Sequence, residues 1–156
     1  KSAVARARGT LSQRPVLDTD NLLQQRFGRA VHQIVQVYGE EAFREHETSI
    51  LKGLSPGPYV LSTGGGIVMR EANWVEMKRL GTTVYLEGTV ETLAERLRVS
   101  KRRRPLLEVD NWEDRLAELL DARRPLYERA DHRIVLEKHS VDDIAQQLHA
   151  LLKGAA

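Results

Sequence analysis

The chain reads as an α/β domain built on a parallel sheet, and three features carry that reading. Strand-like runs alternate with amphipathic stretches: residues 59–63, Glu71–Leu80 and residues 82–86 make a strand, helix, strand unit. A helical crossover of that length joins parallel strands, where a hairpin would need only a short turn. Next, the apolar run Val60-Leu61-Ser62 lifts into Thr63-Gly64-Gly65-Gly66. Glycines at a strand's end leave bare backbone that a ligand can approach closely, and in open α/β sheets ligands lie outside the carboxyl ends of the strands. Taken alone, the triplet is also what a flexible turn looks like. Its company is the third feature: Lys1-Ser2, Asp18-Thr19-Asp20 after a short apolar run, and three separated arginine regions around Arg44, Arg104 and Arg123.

Length and composition bound the functions. At 156 residues the chain is long enough for one hydrophobic core, and it is read as a single domain over residues 1–156. Cysteine is absent, which excludes a disulfide framework, a thiolate metal site and a cysteine nucleophile. No apolar run approaches the roughly 20 residues that span a bilayer, and no signal-peptide pattern opens the chain. A soluble, cytoplasmic protein with no membrane partner is expected. The 24 basic residues nearly balance the 22 acidic ones, for a net charge of +2, so charge alone gives no reason to expect nucleic acid. Arginine outnumbers lysine, and its planar fork suits carboxylates and phosphates. Anionic small molecules are the favoured ligands.

Lys1-Ser2 leads into Ala3-Val4-Ala5-Arg6-Ala7-Arg8, a stretch of high helix propensity. After a glycine-rich loop, such a pair would end G-x-x-x-x-G-K-[ST], whose lysine reaches nucleotide phosphates and whose hydroxyl holds Mg²⁺. By itself the pair is an ordinary exposed dipeptide. Arg14-Pro15-Val16-Leu17 reads as a short strand closed by Asp18-Thr19-Asp20, before a helix starting near Asn21. Two readings of those aspartates stand: helix caps, or Asp18 supporting hydrated Mg²⁺ while Asp20 accepts or orients a substrate hydroxyl.

From Asn21 to Leu54 the pattern is helical, with Val31, Ile34, Val35 and Tyr38 at helix spacing and a break at Gly39. Arg44 and Glu47, three apart, share a face, so the acid can hold the arginine in place. His46 is read as a surface histidine. Residues 55–58 connect to the strand before the glycines; Glu71–Leu80 is a helix with Trp74, Val75 and Met77 as core, ended by Gly81. Residues 82–86 form the next strand and residues 91–98 another helix. The basic run Lys101 to Arg104 precedes Pro105-Leu106-Leu107 and a polar stretch, a pattern that fits a loop closing over phosphates and excluding water. Residues 112–120 are helical, Asp121 to Tyr127 carries the third arginine region, residues 132–136 are the last strand and Val141–Leu152 the last helix.

Lys1-Ser2, Leu17-Asp18-Thr19-Asp20, Gly39-Glu40-x-x-Phe43-Arg44-x-x-Glu47, Ser62-Thr63-Gly64-Gly65-Gly66, Val84-Tyr85-Leu86, Arg104-Pro105-Leu106-Leu107 and Arg123-x-Pro125-Leu126-Tyr127 together resemble shikimate kinase. They occur in that family's order along the whole chain. The resemblance implies a three-layer α/β/α P-loop kinase fold like that of nucleoside-monophosphate kinases, with a five-stranded parallel sheet. It also implies a substrate-binding helical region at about residues 20–54 and a lid at about 99–112. The strand and glycine-rich loop that the family carries before its Lys-Ser pair are expected upstream of Lys1. The implied activity is transfer of the γ-phosphoryl of ATP to the 3-hydroxyl of shikimate, on the route to chorismate and the aromatic amino acids, by a monomer with Mg²⁺. In that reading Lys1 and Arg104 contact phosphates and Ser2 and Asp18 serve the metal. Asp20 is base and hydroxyl ligand, Arg44 and Arg123 hold the substrate carboxylate, and Gly64, Gly65 and Gly66 offer backbone amides. Phosphoryl transfer asks a protein mainly for positioning and charge stabilisation, which this set of residues supplies.

Two other readings fit parts of the pattern: a non-catalytic ligand-sensing domain of a transcriptional regulator, and a kinase for another small metabolite such as a gluconate-type enzyme. Keeping Asp18, Asp20 and Arg104 together disfavours the first, since a pure binder needs neither a metal-side carboxylate nor a phosphate clamp. The glycine triplet and Arg-x-Pro-Leu-Tyr favour shikimate over the second.

Overall fold

In the computed structural model, residues 1–99 and 109–153 are described. Helix α1 (Ser2–Ser12) turns Val4, Ala5 and Gly9 inward and ends on Gln13, whose left-handed backbone lets its N–H meet the last carbonyls of the helix. Gly9 is required by packing: a Cβ there would lie 2.3 Å from Cγ2 of Val16 on the following strand. Strand β1 (Val16–Asp18) pairs in parallel with β2 (Val60–Ser62), setting Val16 beside Val60 and Asp18 beside Ser62. Both chains therefore reach their carboxyl ends side by side, with Asp18 on one and the glycines just beyond the other.

Three helices fill the connection from β1 to β2. They are α2 (Thr19–Phe27), α3 (Val31–Tyr38) and α4 (Glu40–Gly53), separated at Gly28 and Gly39, both of which adopt positive φ. Leu23, Ile34, Phe43 and Ile50 bury one common cluster between them. After β2 a 3-10 turn (Gly65–Met69) leads into α5 (Glu71–Leu80), and Leu51, Ile67, Val68 and Trp74 form a second cluster. Strand β3 (Val84–Glu87) and β4 (His132–Val135) are again parallel, joined through α6 (Val90–Val99) and α7 (Trp112–Tyr127). Helix α8 (Val141–Leu152), opened by a Ser140–Asp143 capping box, lays Ile144 and Leu148 against Val4, Ile134 and Leu136. Burying a side chain such as Leu23, Ile34 or Ile144, all fully enclosed, contributes about 1.5–3 kcal/mol.

The α/β class with parallel pairing is as expected from the sequence, and several details differ. Among the described residues four strands form two separate parallel pairs, where the resemblance implies five in one sheet. Helix α2 begins at Thr19, two residues before the expected start, because Asp18 caps it. Helix α7 runs through Pro125 to Tyr127; a proline in the last turn forgoes only one helical bond. Val75, expected in the core, is 60 % exposed, since Trp74 and Met77 already fill the inward face of α5. His46 is half-buried, its ring edge-on to Phe27 at 4.6 Å.

Candidate active site

The site is built on the ends of β1 and β2. Asp18 closes β1 and caps α2: its Oδ1 accepts from the N–H of Asp20 at 2.9 Å and of Asn21 at 3.3 Å. Its Oδ2 accepts from the Ser2 hydroxyl at 3.1 Å. The capping and metal-side readings of Asp18 are thus compatible, because each uses a different oxygen. Asp20 joins the cap only through its N–H, and its carboxylate lies against Gly64, with Oδ1 3.1 Å from where a Cβ would stand. Thr19, fully buried between the two aspartates, accepts the Gly64 N–H on its hydroxyl at 3.1 Å and ties the start of α2 to the glycine turn.

Each glycine meets different side chains. A Cβ at position 64 would lie 3.1 Å from Asp20 Oδ1 and 3.1 Å from Glu47 Oε2. At position 65 the neighbours would be the Tyr127 hydroxyl at 3.4 Å, Lys1 Nζ at 3.5 Å and an Arg123 terminal nitrogen at 3.7 Å. At position 66 a Cβ would be 2.3 Å from both terminal nitrogens of Arg44, well inside contact distance. Gly66 is therefore a glycine because the guanidinium lies flat on its backbone. Gly65 and Gly66 also open the 3-10 turn, so their N–H groups have no partner within it and can serve an anion. The structure brings Lys1, Asp20, Arg44 and Arg123 together around residues 64–66, with Asp18 at the adjoining strand end and Ser2, the first residue of α1, bonded to it. Arg104 lies outside the described residues.

Sequence reasoning left Glu47, Thr19 and Tyr127 out of the site. Glu47 is fully buried; Oε1 accepts from Arg44 at 3.0 Å, while Oε2 faces Gly64 without a hydrogen bond. Burial pushes its carboxyl above the usual glutamate range. Arg44 pulls it back, Asp20 adds to the rise, and Arg123 opposes it more weakly. Glu40 approaches the other side of Arg44 at 3.7 Å, so the guanidinium, with its side chain only 13 % exposed, is held between two acids of its own helix. The three-residue spacing of Arg44 and Glu47 was legible; what hid the rest was that only folding sets Glu47 against Gly64. For Tyr127 the available signal was its position four residues after Arg123, on the same helical face. Its hydroxyl donates to the Gly65 carbonyl at 2.8 Å.

Chemically the site offers carboxylate oxygens, guanidinium forks, an ammonium and bare amides, all suited to an anionic, hydroxylated ligand next to a phosphate. Among the described residues no group of three or more histidines, aspartates or glutamates could hold a metal ion, and no helix is long and apolar enough to cross a membrane.

Known proteins resemble this chain in sequence and in fold. The sequence pattern of the family described as shikimate kinase matches residues 1–153. The shikimate kinase of Symbiobacterium thermophilum is 37% identical over 151 residues, covering 95% of this chain and 87% of that protein. That of Acinetobacter baylyi is 39% identical over 150 residues, covering 95% and 83%. Among solved structures, shikimate kinase from Acinetobacter baumannii in complex with shikimate superposes with a TM-score of 0.90 at 34% identity, covering 98% of this chain and 87% of that one. The enzyme from Aquifex aeolicus gives 0.80 at 33%, covering 99% and 90%. Sequence and fold thus agree over nearly the full described length: the chain belongs to the shikimate kinase family, P-loop α/β kinases that use ATP as co-substrate to phosphorylate shikimate.

Proposed function

We propose that shikimate lies on the Gly64–Gly66 turn with its carboxylate between Arg44 and Arg123 and its 3-hydroxyl at Asp20. The observation that supports this is the convergence of one carboxylate and two guanidiniums, from α2, α4 and α7, on three consecutive glycines. The 3-hydroxyl oxygen attacks the γ-phosphorus of ATP. A new oxygen–phosphorus bond forms as the bond to the β,γ-bridging oxygen breaks, ADP departs with that electron pair, and the hydroxyl proton passes to the Asp20 carboxylate. Arg44 and Arg123 orient the substrate, which removes much of the entropic barrier to an in-line encounter. The amides of Gly65 and Gly66 offer further donors. Lys1, whose Nζ lies 3.5 Å from where a Cβ of Gly65 would stand, supplies in this reading a fixed cation that stabilises charge on the transferring group. Arg104, on the lid, adds a second cation in this reading.

The Ser2 hydroxyl and the Asp18 carboxylate, 3.1 Å apart, are hard oxygen donors that fit Mg²⁺, an ion content with one or two protein ligands plus phosphates and water. When bound, Mg²⁺ neutralises phosphate charge. The proposal includes one domain with residues 20–54 as its substrate-binding region, acting as a cytoplasmic monomer without nucleic acid.

The test is Asp20→Asn. Turnover is expected to fall by at least about 100-fold, while shikimate affinity by calorimetry stays within about threefold, because the amide keeps the oxygen that faces the hydroxyl. Near wild-type kcat would remove Asp20 as the base.

A further inference from the structure

Tyr127 carries a hydrogen bond that none of the roles above uses. Its hydroxyl donates to the carbonyl of Gly65 at 2.8 Å, linking α7 to a turn 62 residues away in sequence. The ring is itself fixed: it stacks on Tyr85 of β3 with centroids 5.1 Å apart and planes at 15°, and it packs on the Leu51, Ile67, Val68 and Trp74 cluster. The phenol is thus a rigid donor held from below by a strand and from the side by a core.

The carbonyl it grips belongs to the peptide that joins Gly65 to Gly66. That unit is planar and trans, so its C=O and N–H point in opposite directions, and fixing one fixes the other. Flanked by glycine on both sides, this peptide has no Cβ to restrict its rotation, and in the unbonded state it can flip at little cost. The Arg44 guanidinium lies against the same glycine, 2.3 Å from where a Cβ of Gly66 would stand. On the same helical face, one turn before Tyr127, Arg123 reaches Gly65 at 3.7 Å from a Cβ position there. One hydrogen bond therefore ties the orientation of an amide donor to α7, the helix that carries Arg123.

We propose that Tyr127 is a positioning residue for substrate binding: its hydroxyl holds the Gly65–Gly66 peptide so that the Gly66 N–H and the Arg123 guanidinium address the same carboxylate. The inference rests on the placement of shikimate proposed above. It assigns Tyr127 no contact with the reacting atoms.

The experiment is Tyr127→Phe, which removes the hydroxyl and leaves the stack on Tyr85 in place. Shikimate Kd by calorimetry, and KM for shikimate, are expected to rise about three- to tenfold, the range for losing one neutral hydrogen bond, with KM for ATP unchanged. In ¹⁵N-labelled protein without ligand, the Gly66 amide resonance is expected to shift or broaden as its peptide gains freedom. A lower melting temperature with unchanged shikimate affinity and an unmoved Gly66 amide would mean that Tyr127 only supports the fold, and would overturn the proposal. If the unmutated protein did not bind shikimate, the placement of the substrate would fail. The ligand-free amide signal would still judge the role of Tyr127 in fixing the peptide.

Discussion

Replacing Gly66 with alanine puts the geometry of the site to a quantitative test. The added Cβ would stand 2.3 Å from both terminal nitrogens of Arg44 and 2.4 Å from its central carbon. Ordinary contact begins near 3.4 Å, so the guanidinium must retreat by about 1 Å. Arg44 is the far end of a flexible side chain, so the backbone holds and the arginine gives way. The same retreat stretches its 3.0 Å bond to Glu47 towards the limit of hydrogen bonding and leaves a fully buried carboxyl short of its partner. Displaced this far, Arg44 also forfeits its charge-assisted hydrogen bond to the proposed shikimate carboxylate, about 1.5–3 kcal/mol, and at about 1.4 kcal/mol per decade shikimate Kd should rise roughly 10- to 150-fold. Gly65→Ala is the control: its Cβ would meet its neighbours at 3.4 Å and beyond, and the loss of affinity should be several times smaller. Calorimetric titration with shikimate, beside thermal unfolding to show that both variants fold, gives the comparison. Equal affinities for the Gly66 and Gly65 variants would refute the argument that Arg44 is seated on Gly66.

Two further predictions concern stability. Burial raises the Glu47 carboxyl above its ordinary value of 4.5, with Asp20 adding to the rise against Arg44 and Arg123. The folded chain therefore binds the Glu47 proton more tightly than the unfolded chain. This stabilisation is fully present below 4.5 and is lost as pH rises through the raised value. Glu47→Gln lacks that loss, so its melting temperature relative to the unmutated chain should climb across the same interval; a pH-independent difference would contradict the assignment. Gly9→Ala forces a Cβ to within 2.3 Å of Val16 at the α1–β1 contact and should destabilise by about 1–3 kcal/mol in urea unfolding. Unchanged stability would show that α1 and β1 can part freely.

The elements were legible where one period dominates. Glu71–Leu80 and Val141–Leu152 have the bounds that their spacing suggests, because each has an amphipathic stripe and a clear stop or cap. Crossover length indicated the parallel sense of pairing but not the partners: among the described residues the strands on either side of α5 belong to different pairs. Less legible was anything decided between distant segments. The glycines looked alike in sequence, yet Gly66 lies under a guanidinium, Gly64 is crowded by two carboxylates, and Gly65 is in ordinary contact. Val75 satisfied the apolar pattern of α5 but faces outward, since a helix has more apolar positions than its neighbour can cover. The competition at Asp18-Thr19-Asp20 between capping and chemistry was open in the sequence. Folding divides the labour: Asp18 caps, Thr19 holds the turn and Asp20 faces Gly64. Glu47 shows why acids near an arginine are hard to rank, because its burial depends on α4 lying across the end of β2.

The central claim is that shikimate sits on the glycine turn, and amide chemical shifts read this site by site. Titrating shikimate into ¹⁵N-labelled protein should move the amides of Gly64, Gly65 and Gly66 and the Nε–H signals of Arg44 and Arg123 together, along one saturable curve. Saturable binding that left those glycines and both arginines unmoved, with shifts confined to another face of the molecule, would contradict it.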